Sequence, residues 1–250
     1  MDGSFIYHVT AVGLLAGAAG TGMGGLLIRI VPTPRGNWLA GIMGFSAGIM
    51  TAIVFLELVD EALQLAGISY LIIGLTVGVA GFLLLDKYLP HNHIISTENS
   101  EGSFLKKGTL LGIGIGLHNL PEGLAIGAGY AASAELGFTL ALLIALHNIP
   151  EGLAIAAPLK VGKMSWPKII LVTVGAGLPM GVGALLGGLI GHISPAFLAA
   201  SLGFAGGAML YIVADELIPD AYLEAENEHS AIIGILLGVI LGILLIYLLS

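Results

Sequence analysis

Eight apolar stretches, each long enough to cross a bilayer as a helix, divide this chain almost completely. They run approximately 5–28, 38–59, 68–89, 108–131, 136–158, 168–191, 196–218 and 230–249. A membrane-spanning helix needs about 17 to 25 predominantly apolar residues. A barrel strand needs about half that and alternates in polarity, which these segments do not. The expected fold is therefore an all-α integral membrane domain, residues 1–250, with eight helices. Only 10% of the 250 residues are charged, too few to cover a soluble domain of this size. The lipid bilayer is the implied partner, and a second copy of the chain is carried as a further one. Net charge −8 argues against nucleic acid, and the lack of cysteine removes thiolate metal sites and disulfides. Met1-Asp-Gly-Ser-Phe5 lacks a basic leader, so the first stretch is read as retained.

The eight basic residues set an orientation. Arg29 and Arg35 flank the first connection, Lys87, Lys106 and Lys107 the third (a loop over 91–107), and Lys160, Lys163 and Lys168 the fifth. In an eight-helix chain these connections share one side. Positive charge marks the cytoplasmic face, so both termini are expected outside the cell membrane.

The second and seventh stretches align without gaps at an offset of 159 residues. Gly44-Phe-Ser-Ala-Gly-Ile-Met50 falls on Gly203-Phe-Ala-Gly-Gly-Ala-Met209, and Glu57 on Glu216. The same offset carries Gly22-Met-Gly-Gly-Leu26 onto Gly181-Val-Gly-Ala-Leu185. Equivalent helices are five apart, so helices 1–3 and 6–8 should form an inverted repeat around a central antiparallel pair, 4 and 5. Sites in such architectures lie near the midplane at the repeat interface.

The central pair carries the chemistry. Leu117-His-Asn-Leu-Pro-Glu-Gly-Leu-Ala-Ile126 is matched by Leu146-His-Asn-Ile-Pro-Glu-Gly-Leu-Ala-Ile155. His118 and Glu122 stand four apart, on one helix face, as do His147 and Glu151. Two such faces opposed would offer two imidazoles and two carboxylates, an N/O set suited to Zn²⁺ and acceptable to Fe²⁺, Mn²⁺ or Cd²⁺. Asn119 and Asn148 lie about 100° around each helix, where an amide oxygen could line an adjoining position. Pro121 and Pro150 free the carbonyls of Leu117 and Leu146. Ionisable groups at membrane depth are costly and mark function.

Outside the pair, Glu57 and Glu216 are repeat-matched candidates for a ligand or a vestibule, Glu57 the stronger. His91 and His93 could capture a metal in their loop. Pro179 and Met180 predict a break in helix 6.

The duplicated His-Asn-x-Pro-Glu-Gly resembles the signature motifs of the ZIP (Zrt/Irt-like) metal transporters of the compact prokaryotic type, and the resemblance covers essentially the whole chain. It implies a primary site of His118, Glu122, His147 and Glu151, with Glu57 beside it. It also implies a second site to which Asn119 and Asn148 contribute, bridged by the two glutamates. Many relatives carry a further Glu in helix 6; Gly177-Leu-Pro-Met-Gly181 has Met180 there, which leaves the second site incomplete. The implied function is inward movement of a divalent metal as substrate, with no organic cofactor. The implied motion is sliding of helices 1, 4, 5 and 6 against the rest. Glu57, Glu122 and Glu151 outnumber the charge of one divalent ion, so a proton is expected to accompany single-metal occupancy. A channel, and an intramembrane zinc metallohydrolase built on His-x-x-x-Glu, are the competing readings.

Overall fold

A computed structural model describes residues 3–30, 36–88 and 101–249. Almost all of them are helical. The order is α1 (Gly3–Leu27), α2 (Gly36–Ile53), α3 (Val59–Ala66), α4 (Ile68–Tyr88), α5 (Glu101–Ala132), α6 (Ala134–Val161), α7 (Trp166–Gly177), α8 (Pro179–Gly191), α9 (Pro195–Ile212), α10 (Ile218–Glu224) and α11 (Glu228–Leu249). A π-helical turn joins α2 to α3 over Val54–Leu58, and another joins α9 to α10 over Val213–Leu217.

Seven helical stretches among the described residues are long and apolar enough to cross a membrane, with α2 to α3, α7 to α8 and α9 to α10 each counted as one. The eighth expected stretch is α5, which at 32 residues is the longest helix but is not among the seven. It carries Lys106, Lys107, His118, Asn119 and Glu122. It also covers Glu101 to Lys107, the last part of the connection over 91–107 expected to be a loop. An ion pair between Glu101 and Lys163 joins that first turn to the end of α6. The expected break in helix 6 falls at Leu178, between α7 and α8. Pro179 has no amide hydrogen to continue the ladder.

The helices form two packed groups. In one, α2 runs along α11 and α4 along α9. In the other, α5 packs on α6 and α8, and α1 on α6, α7 and α8. Close approach depends on glycine: a Cβ at Gly48 would strike the Ile235 carbonyl, and one at Gly207 the Leu75 carbonyl. With no solvent to drive helices together in lipid, such backbone contact supplies much of the packing energy. The apolar faces left over, on α4 and α11, are broadly exposed.

The two π-turns stand at one offset, since Val54–Leu58 shifted by 159 residues is Val213–Leu217. Each carries a glutamate at its fourth position, Glu57 and Glu216. Pro219 just beyond the second turn cannot be the common cause, because Asp60 holds that place in the first. π-turns widen a helix locally and recur at functional sites.

Arg29, Lys160 and Lys163 lie at one end, around the ends of α1 and α6. Arg29 stacks over the Trp166 ring, 4.6 Å from its centroid. Lys160 donates to the Ile28 carbonyl at 2.6 Å, closing the end of α1.

Candidate metal centre

The two hexapeptides occupy the middles of α5 and α6, and both helices continue through their prolines. Their glycines explain why the motif ends as it does. A Cβ at Gly123 would collide with the main chain of Met180 in α8, and one at Gly152 with the main chain of Thr21 in α1. Each motif is thereby pressed against a neighbouring helix directly beside its glutamate. Thr21 and Met180 are themselves 159 residues apart.

His118, Asn119, Glu122, His147, Asn148 and Glu151 are all buried, none more than 4% exposed. His147 Nε2 lies 3.0 Å from Glu122 Oε1 and 4.0 Å from Glu151 Oε1. One ligand atom from each of Glu122, His147 and Glu151 falls within 4.8 Å of the others. Among the described residues, Glu122 Oε2 and both Glu151 oxygens have no hydrogen-bond partner. A buried carboxylate without a donor or cation is a costly arrangement. A divalent ion held between these three side chains would supply the missing positive charge, and imidazole with carboxylates is a set that Zn²⁺ accepts.

The fourth expected ligand, His118, is turned elsewhere. Its Nε2 meets Glu216 Oε1 at 3.0 Å, across the boundary from α5 to the π-turn after α9. The carboxylates of Glu151 and Glu122 remain within its electrostatic reach. The structure thus brings together three of the four primary residues and pairs the fourth with Glu216, the member of the repeat-matched pair that sequence reasoning favoured less. Glu57 is half-buried outside this group, with Glu61, Asp60 and Glu135 as its charged neighbours.

The asparagines are joined to each other. Asn148 Nδ2 donates to Asn119 Oδ1 at 3.1 Å. Asn119 Nδ2 donates to the carbonyls of Ile115, at 3.0 Å, and Ala176, at 2.9 Å. Ala176 precedes the helix break at Leu178, so Asn119 satisfies a carbonyl beside that interruption. Asn148 Oδ1 is buried without a hydrogen-bond partner among the described residues. Met180 is completely buried in the apolar core. His91 and His93 lie outside the described residues.

Two contacts had no individual signal in the sequence. Ser46 Oγ donates to the His147 carbonyl at 3.1 Å, tying α2 to α6. The pairing of Glu216 with His118 is the other. The offset of 159 did single out Glu216, but no local pattern says which of two matched glutamates is engaged.

These features define a class: an all-helical membrane protein with a buried His/Glu group, able to hold a metal ion, between two matched helices. Sequence comparison makes the class specific. The model of the ZIP zinc transporter family matches residues 89–250. A protein called zinc transporter ZupT from Enterobacter sp. (strain 638) is 40% identical over 215 residues, covering 82% of this chain and 83% of the relative. Proteins of that name from Salmonella paratyphi A (strain ATCC 9150 / SARB42) and Escherichia coli O7:K1 are 37% and 38% identical over the same shares. The chain belongs to the ZIP zinc transporter family. Membership in a transporter family sets aside the metallohydrolase reading.

Proposed function

We propose that this chain carries a divalent transition metal, zinc foremost, into the cytoplasm through a midplane site between α5 and α6. The observation that carries the reading is the cluster of buried carboxylate oxygens around His147 that have no hydrogen-bond partner among the described residues, an arrangement a bound cation would balance. Glu122, His147 and Glu151 receive the ion, and His118 completes the primary set when it leaves Glu216. Asn119 and Asn148 line the adjoining position. Met180 offers no oxygen ligand there, so one ion per chain is the expected stoichiometry. Glu57 and Glu216 flank the path, Glu57 toward the end that also holds Asp60, Glu61 and Glu135. That acidic end would concentrate cations.

In this reading the whole chain is one domain of eight spans, α5 among them. Arg29, Lys160 and Lys163 gathered at one end support a cytoplasmic assignment for that end, with both termini outside. The exposed apolar faces of α4 and α11 meet lipid, and a homodimer would draw on the same faces. The group of α1, α5, α6, α7 and α8 slides as a unit against α2, α4, α9 and α11. The division of packing into these two groups supports a carrier over a channel.

Purified protein in liposomes tests this directly. Saturable Zn²⁺ uptake is expected, with Fe²⁺, Mn²⁺ and Cd²⁺ as comparison ions. Glu122→Ala and Glu151→Ala should each lower uptake at least tenfold, and unimpaired flux in both would refute the site. Cross-linking the two groups should stop uptake; flux that survives it would indicate a channel.

A further inference from the structure

Inside each helix group the contacts obey the internal repeat. Gly24 abuts the carbonyl of Ile149 and Gly183 that of Leu120, as Gly152 abuts Thr21 and Gly123 abuts Met180. Shifts of 159 residues in the outer helices and 29 in the central pair interconvert these contacts. In the other group, α2 on α11 mirrors α9 on α4. Between the groups the correspondence fails. Glu216 of the second π-turn reaches His118, whereas Glu57 of the first makes no side-chain hydrogen bond or ion pair among the described residues. His147, the counterpart of His118, instead meets α2 through Ser46 at its carbonyl, and its ring pairs with Glu122. A molecule whose halves match internally but meet out of register has a second arrangement of similar contacts, reached by sliding one group past the other.

Resting on the carrier reading above, we propose that Glu216 and Glu57 exchange as histidine partners: Glu216 holds His118 in this conformation, and Glu57 takes His147 in the alternate one. By the same correspondence, His118 would then pair with Glu151, as His147 pairs with Glu122 here. The register sets the scale. Ser46 and Glu57 are eleven residues apart, as are Ala205 and Glu216. That separation is about 16 Å along a helix at 1.5 Å per residue, an upper bound on the slide because the side chains reach toward each other. Both pairings belong to the empty carrier. Metal that takes His118 Nε2 displaces Glu216 and releases that end. Departure of metal at the other end frees His147 for Glu57.

The lack of cysteine allows a direct test. Spin labels go on Gln64→Cys in α3 and Ala134→Cys at the start of α6, both exposed and one in each group. Their distance distribution is measured in zinc-free lipid vesicles. Two populations are expected. Glu216→Gln should shift their ratio about tenfold away from the present arrangement, and Glu57→Gln about tenfold toward it, the scale of one charge-assisted hydrogen bond. In a His118→Gln background Glu216→Gln should have no further effect, and in a His147→Gln background Glu57→Gln should have none. Should a glutamine variant fail to assemble, Glu→Asp at the same position shortens the reach and is read the same way. Unshifted populations, shifts of the same sign, or coupling to the opposite histidine would overturn the exchange. Zinc uptake in the same vesicles separates the two ideas: uptake without opposed shifts defeats the exchange alone, and absence of uptake by the unsubstituted chain defeats the carrier reading.

Discussion

Nε2 of His147 lies 3.0 Å from Oε1 of Glu122, so the histidine of one motif copy is partnered by the glutamate of the other. Neither hexapeptide is a site by itself. The candidate ligand group is built where Gly123 and Gly152 let α5 and α6 seat closely against α8 and α1.

Glu151→Gln should leave the metal-free protein at least as stable as the unsubstituted chain, while removing its stabilisation by zinc. Both carboxylate oxygens are buried without a donor among the described residues, and a neutral amide costs less to bury than a charge. Zinc at a hundred times its dissociation constant should stabilise the native protein by about 2.7 kcal/mol. Thermal melts in detergent, with and without zinc, read both effects.

Zinc affinity should weaken as pH falls. Protons compete with metal for the carboxylates and for imidazole, which ordinarily titrates near 6.5. Between about pH 7.5 and 5.5 the dissociation constant should rise at least tenfold. Calorimetric titration at the two pH values checks the sign and the size.

Gly152→Ala should destabilise by about 1–3 kcal/mol, because the new methyl meets the Thr21 main chain. Gly123→Ala should behave alike against Met180. Gly175→Ala is the contrast: nothing lies within 4 Å of its Cβ, so the gain in helix propensity, up to about 1 kcal/mol, is unopposed. Denaturation curves for the three variants should separate them by sign.

Asn119→Ala removes the donor to the Ala176 carbonyl and the acceptor for Asn148 Nδ2. Each buried polar group left unmatched costs about 1–3 kcal/mol. The double variant Asn119→Ala/Asn148→Ala should cost less than the sum of the singles, since Asn148 then leaves no stranded amide. Melting temperatures of the four proteins complete that cycle.

Much of the architecture was legible locally. Apolar runs of about twenty residues have few alternatives to a helix in lipid, and the residues read as 5–28 and 230–249 form α1 and α11 within two residues at each end. Pro179 announced the break before α8. The extent of α5 was less visible, because Glu101 to Lys107 is polar and reads as loop until Lys163 is brought to Glu101. The role of the motif glycines was hidden for a related reason: nothing in His-Asn-x-Pro-Glu-Gly names Thr21 or Met180 as what they touch.

The sequence alone determined the all-helical membrane class, the two matched motifs and the ligand types, since each follows from spacing along one helix or from a repeat within the chain. Tertiary structure decided which of the candidate ligands meet. His118 turned to Glu216 while His147 joined Glu122 and Glu151, and Glu57 stayed with the acidic end. Periodicity places a side chain on a face. The level at which one helix group stands against the other is set by packing between groups, and that register selects between two glutamates the repeat makes equivalent.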